Sequence, residues 1–350
     1  MYLRSLANRV PPHSFSQSEL WEMYRDSHTR KRLKPRSVWI VDKVLNGENG
    51  VKKRHFALPE LDALQEMDAE ALNRAFEREA PKLATEALND ALEKADLSPE
   101  SLDVLIVCTC TGYLCPGVAS HVAEQAGLRS DAYLVDIVGQ GCGAVVPSLR
   151  NAAGLIAGDP SLNAAVVAVE ICSAAFYVDD DPGVLVSACL FGDGASASIW
   201  SGRKEGSAGW RAFDFDTLHL PEDRQALRFE NKGGKLANRL LPSVPQKAAE
   251  SVGALLEKSQ RRWPDRAIAQ LVTHTGGRDV LIAIEQRLPQ YALAPSKAAL
   301  REFGNMSSPS VMFALEMYLK SGDCSRHDGD LWLSSFGAGF AAHSFRLQRV

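Results

Sequence analysis

Val135–Val146 reads VDIVGQGCGAVV, an apolar run that closes on glycines and reopens as a helix-compatible segment, with Cys142 at the junction. A strand that turns through glycine into a helix is an α/β connection. Two chemistries use such a turn. Gly139-x-Gly141-x-x-Ala144 fits the dinucleotide fingerprint, which also wants an acid about 20 positions on. The acid closing the next strand, Glu170, lies 26 positions past Ala144, and the turn sits in mid-chain. The second chemistry uses the cysteine, because free backbone N–H groups and the helix dipole favour a thiolate and lower a thiol pKa from about 8.5. The bland reading is a small buried apolar residue. This stretch alone does not separate them.

The chain around it is ordinary globular material: 350 residues, 45% apolar and 23% charged. That is enough for a large core, in one large or two intimately packed domains. A formal net charge of −4 argues against a nucleic-acid partner. Seven cysteines, an odd number scattered through apolar segments, do not make a disulfide framework. The first twenty residues hold no apolar signal core, and no run reaches the roughly 18 apolar residues of a membrane span. A cytoplasmic protein with reduced thiols and no membrane partner is expected. Two dense basic runs, Arg30 to Arg36 and Lys52-Lys53-Arg54, are solvated faces or the seat of an anionic ligand such as a nucleotide phosphate.

Distant stretches repeat one order of parts. The helix PKLATEALNDALEKADL aligns Leu88, Ala91, Leu92 and Ala95 on one face, with Pro81 suited to its first turn. The strand LDVLIVC follows, then Thr109-Cys110-Thr111-Gly112, a helix, and the strand carrying Cys142. Later, the helix PQKAAESVGALLEKSQRRW precedes the strand IAQLV, Thr273-His274-Thr275-Gly276, a helix, and the turn FGNMSSPS. Cys110 and His274 each lie 16 residues beyond the lysine of an LEK triplet. Cys110 to Cys142 spans 32 positions and His274 to Asn305 spans 31. Each half closes on a related turn, FGDGASASIW or FGAGFAAHSF. The inference is a duplication, halves 1–205 and 206–350, each a sheet flanked by helices, packed through helices sandwiched between the sheets. Matched turns then face one another, bringing Cys142 of one half to His274 and Asn305 of the other. Thiolate, imidazole and amide donor make a nucleophilic site for acyl chemistry. Alone, His274 reads as a core histidine and Asn305 as a helix cap.

At these residues the sequence resembles the type III polyketide synthases, chalcone synthase-like members of the thiolase fold. The match runs from VPPHSFSQSELWE to the last strand, through GQGC at Cys142, LFGDGA at Leu190 to Ala195, THTGG at His274, GNMSS at Gly304 to Ser308 and SFGAGF at Ser335 to Phe340. The resemblance implies an α/β, duplicated αβαβα layered fold, a homodimer, acyl-CoA and malonyl-CoA as substrates, and no cofactor or metal. It gives Cys142 the acyl chain, His274 and Asn305 the malonyl thioester, Phe191 the gate, and Cys110, Cys115, Ser307 and Gly337 the substrate cavity. Repeated condensation would yield a pyrone, resorcinol or phloroglucinol-type product.

There are departures. Ala338 stands for a loop proline, and the positions of the family's CoA-phosphate cations hold Val41, Val44 and Glu48, leaving Lys52, Lys53 or Arg54 as substitutes. Cys110 replaces a threonine of the cavity wall, and Cys115 a methionine that in plant members reaches across the dimer into the partner's cavity; the smaller wall favours a medium or long fatty acyl starter. A metal site from Cys108, Cys110 and Cys115 is the competing reading of those thiols, against which stand their spacing and the alternation of side chains on a strand. The competing functions are a single-condensation ketoacyl synthase fed by acyl carrier protein and a silent acyl-binding scaffold.

Overall fold

The structure, a computed structural model, describes residues 1–60, 66–175, 177–204, 209–322 and 328–350. Its strands are β1 (Tyr2–Arg9), β2 (His13–Ser16), β3 (Lys53–Phe56), β4 (Val104–Cys108), β5 (Tyr133–Ile137), β6 (Asn163–Glu170), β7 (Gly194–Ser201), β8 (Trp210–His219), β9 (Leu227–Lys232), β10 (Lys235–Leu240), β11 (Ile268–Thr273), β12 (Asp330–Gly337) and β13 (Ala341–Arg349). Nine of them form one mixed sheet in the order β11-β12-β13-β8-β1-β7-β6-β4-β5.

The duplication is visible in that order. From β4 the neighbours β6, β7 and β1 follow as parallel, antiparallel and antiparallel partners. From β11 the neighbours β12, β13 and β8 follow in the same three relations. Among the described residues the half-sheets meet where Tyr2 pairs with Arg211 and Leu3 with Trp210. Strands β4, β6, β7 and β12 are covered on both faces, which is why they read as near-continuous runs of apolar and small residues. The boundary expected at 205/206 lies outside the described residues.

Three apolar clusters fill the spaces between layers. Helices Val145–Gly158 and Ser310–Lys320 share one cluster with strands of both halves, so they form the central layer. Helices Ala69–Ala95 and Val118–Ala126 cover the outside of the first half. Val244–Arg262 and Arg278–Arg287 cover the second. The five layers are those of the thiolase fold. One expected boundary is corrected: Pro81 lies inside its helix, which begins after Asp68, whose carboxylate accepts from Ala71 N at 2.8 Å. The residues ahead of Pro81 keep helical spacing, with Leu72, Ala75, Phe76 and Ala80 buried on one face, and that packing outweighs one missing backbone donor. No helix among the described residues is long and apolar enough to cross a membrane.

Candidate active site

Cys142 occupies a single tight turn, Gly141–Gly143, at the head of the central helix Val145–Gly158. The second half presses on it from behind. A Cβ at Gly337 would lie 2.6 Å from Gly143 N and 3.0 Å from Cys142 N, so only glycine allows this approach. Ser335 Oγ donates to Gly143 O at 2.9 Å. Gly337 therefore backs the Cys142 turn and does not itself line the cavity assigned to it from sequence; its neighbours Ala338 and Gly339 do.

His274 leaves the end of β11, its backbone N–H donating to Ser334 O at 2.9 Å. Its ring meets Phe336 edge-on with centroids 5.1 Å apart, and Nδ1 is buried with no partner among the described residues. Burial lowers its pKa to about 3, so the imidazole is neutral. Asn305 occupies the turn matching that of Cys142. It is pinned to the Phe191 turn, donating to Leu190 O at 2.9 Å and accepting from Gly192 N at 3.0 Å. Its Oδ1 accepts from Ser307 N at 2.8 Å, while Nδ2 reaches Gly276 O only at 3.5 Å and so keeps donating capacity. Ser307, at φ +60°, lies between two thiols, its Oγ donating to Cys142 Sγ at 3.1 Å and standing 3.0 Å from Cys110 Sγ.

Electrostatics reverse one expectation. Burial pushes the Cys142 thiol up to about 12; the Ser307 hydroxyl opposes this and Glu170 adds to it. The helix terminus does not make a resting thiolate, because desolvation of the anion is the larger effect. Thiol and imidazole are therefore both neutral near pH 7.

Three residues missed as site groups in the sequence complete the surroundings. Glu170, fully buried, accepts from Cys110 N at 3.0 Å, Thr111 Oγ1 at 2.8 Å and Ser308 Oγ at 2.5 Å, tying the Cys110 and Asn305 loops together. Its signal was an acid closing an otherwise apolar strand. Phe229 and Leu236 arrive on the β9–β10 hairpin and join Cys142, Cys172, Ala175 and Phe191 in one apolar cluster. That hairpin turns through Gly233-Gly234, both at positive φ, between paired Lys232 and Lys235. Two glycines between strand-like runs were the available sign.

Two spaces flank this cluster. One, of about 390 Å³, is apolar, lies under helices Gln17–Asp26 and Pro35–Asn46, and ends on Phe191 and Cys172. The other, of about 600 Å³, is bordered by Cys110, Gly141, Ala175, Phe229 and Leu236. Cys115 is exposed on the loop beyond β4 and borders neither space of its own chain, which fits a position that points toward a partner copy. Nor does Arg54 present itself to a phosphate. It is buried, its guanidinium donating to Gln17 Oε1 at 3.1 Å, Ala188 O at 2.7 Å and Phe191 O at 2.8 Å, which fixes the Phe191 turn. Lys53 pairs with Glu302 at 3.6 Å, and Lys52 is exposed.

This layered architecture defines a class, the thiolase-fold enzymes. The family model FAE1/type III polyketide synthase-like protein matches residues 12–212, and that of the chalcone and stilbene synthases, C-terminal domain, matches 216–350. Among curated relatives, 1,3,6,8-tetrahydroxynaphthalene synthase of Streptomyces peucetius subsp. caesius is 31% identical, over 97% of this chain and 90% of its own length. Phloroglucinol synthase of Pseudomonas fluorescens is 24% identical over 95% and 94%. The solved structure of 1,3,6,8-tetrahydroxynaphthalene synthase from Streptomyces coelicolor A3(2) superposes with a TM-score of 0.87, at 25% identity and 99% coverage of both chains. The chain belongs to the type III polyketide synthases, acyltransferases of the chalcone and stilbene synthase kind.

Proposed function

We propose that this enzyme condenses malonyl-CoA units onto an acyl-CoA starter in the cytoplasm, with Cys142 as nucleophile and His274 and Asn305 as the malonyl thioester's hydrogen-bond donors. The observation that supports it is the chain of contacts by which Ser307 donates to both Cys142 Sγ and Asn305 Oδ1, while the under-used Asn305 Nδ2 faces Gly276 O on the turn of the buried, neutral His274. Cys142 sulfur, losing its proton as the starter binds, attacks the thioester carbon, and CoA leaves with the electron pair and a proton. Malonyl-CoA then takes its place. Loss of carbon dioxide puts negative charge on the thioester oxygen, which the two donors stabilise more than they do the ground state. A neutral His274 suits this, since a cation would also grip the carboxylate that must depart. The enolate carbon attacks the acyl group and returns the electron pair to Cys142 sulfur. The halves 1–205 and 206–350 thus contribute to one reaction centre, and the space of about 600 Å³ gives the lengthening chain room before it closes to a pyrone, resorcinol or phloroglucinol ring.

Hexanoyl-CoA with malonyl-CoA, followed by mass spectrometry, tests the reading. Extended products are expected from the wild type. Cys142→Ala should make none yet still release some carbon dioxide from malonyl-CoA, whereas His274→Ala should lose both. Turnover only with malonyl-loaded carrier protein, or a wild type that is never acylated, overturns it.

A homodimer belongs to the same proposal. Strand β5 is the outer edge of the sheet, and Tyr133, Leu134 and Val138 on and beside it are 58%, 37% and 48% exposed. An uncovered apolar edge strand is a pairing template, here for a second copy.

A further inference from the structure

The larger cavity reaches the Cys142 turn at Gly141, is apolar at Phe229 and Leu236, which pack in one cluster with Cys142, and is positively charged elsewhere. Its inner wall is Cys110, Ala175, Phe229 and Leu236. Arg224, Arg228 and Lys235 also line it, and no Asp or Glu does among the described residues. None of these cations is simply spent on the protein. Arg224 is exposed and has no ion-pair partner among the described residues. Arg228 places one terminal nitrogen on Glu230, but its Nε is buried and unpartnered there. Lys235 Nζ donates to Met67 O at 2.5 Å and faces the Tyr177 ring at 5.5 Å, both neutral partners. A cleft of one sign with apolar walls concentrates its potential on whatever lies inside. A buried guanidinium N–H left without an acceptor awaits one from a ligand.

We infer that the cavity accepts an acyl chain ending in a carboxylate, so that the starter class is an ω-carboxyacyl-CoA, with the thioester at Cys142 and the carboxylate at Arg224, Arg228 and Lys235. The inference rests on the condensing role proposed above and specifies its substrate. It departs from the fatty acyl starter expected from Cys110 and Cys115, because the space beyond Cys110 is lined by cations. A saturated chain with a methyl terminus fills the apolar part and leaves Arg224 and Lys235 without a counter-charge and Arg228 Nε without an acceptor. A dicarboxylic monothioester fills that part and places a carboxylate among them. Arginine forks suit a carboxylate because two parallel N–H groups match its two oxygens.

The test compares adipyl-CoA with hexanoyl-CoA, equal in carbon number, as starters for the wild type, Arg228→Gln and the Arg224→Gln/Arg228→Gln pair, with malonyl-CoA as extender. In the wild type adipyl-CoA should exceed hexanoyl-CoA in kcat/KM by about tenfold to hundredfold, the range of one or two charge-assisted hydrogen bonds. The variants should lose that ratio through the adipyl arm, and the hexanoyl arm should hold its rate, which also shows that they fold. Equal losses in both arms would assign the cations to the CoA portion common to both starters and overturn the inference. A wild type that prefers hexanoyl-CoA would also overturn it while leaving the condensing role intact. No turnover of either starter removes that role and the inference with it.

Discussion

Cys142 combines a position that favours the thiolate with an environment that opposes it. Order and spacing single out Cys142, His274 and Asn305 as candidates in the sequence, because a duplicated chain repeats its turns at fixed intervals. The protonation state was not legible there, since desolvation depends on what closes over the sulfur. With the thiol pushed up to about 12, the thiolate fraction grows with pH throughout the neutral and mildly alkaline range. Alkylation of Cys142 by iodoacetamide should therefore be slow at pH 7 and rise by about tenfold per pH unit, since the thiolate is the nucleophile. Exposed Cys115 should be labelled first at neutral pH. Peptide mapping at pH 7, 8 and 9, with and without acyl-CoA, checks both; a Cys142 rate already flat below pH 8 would mean that the helix terminus prevails. Arg54 teaches a related lesson. Lys52-Lys53-Arg54 reads as one basic run, yet β3 sends Arg54 inward and leaves Lys52 outside.

At the level of elements, the end of β12 acts as a stop against the nucleophile turn. A methyl group at Gly337 would sit 2.6 Å from Gly143 N, well inside contact distance, and backbone there has nowhere to give. Gly337→Ala should move Cys142 by several tenths of an ångström and lower kcat by on the order of 10²-fold with KM little changed. Steady-state kinetics beside a melting curve separates this from loss of fold. The contribution of the central helices to stability is testable: Leu149, fully buried between the sheets, should cost about 2–5 kcal/mol when replaced by alanine, measured by urea denaturation. The β9–β10 hairpin went unread although its Gly233-Gly234 turn was in plain sight, because a search for repeats passes over a segment that only one half possesses.

For the whole molecule, the matched strand orders explain why one alignment of motifs gave the layers. What the repeat left out is how the halves join and what covers the outer edge. If β5 pairs with its counterpart in a second copy, a charge on that edge should separate the copies. Leu134→Lys is expected to halve the sedimenting mass in analytical ultracentrifugation, and a mass already that of one chain in the wild type would refute the dimer.

The join itself bears on how the chain comes to fold. Strand β1 is near the start of the sequence yet lies in the middle of the sheet, where Tyr2 pairs with Ser201 on one side and Arg211 on the other. Its hydrogen-bonding partners emerge from the ribosome only after some two hundred further residues. Until then an eight-residue strand of a nascent chain waits with both edges bare. Such non-local pairing slows folding and exposes strand edges to other chains. Synthesis rate and chaperone supply should therefore govern the yield of soluble enzyme more than any single core contact does.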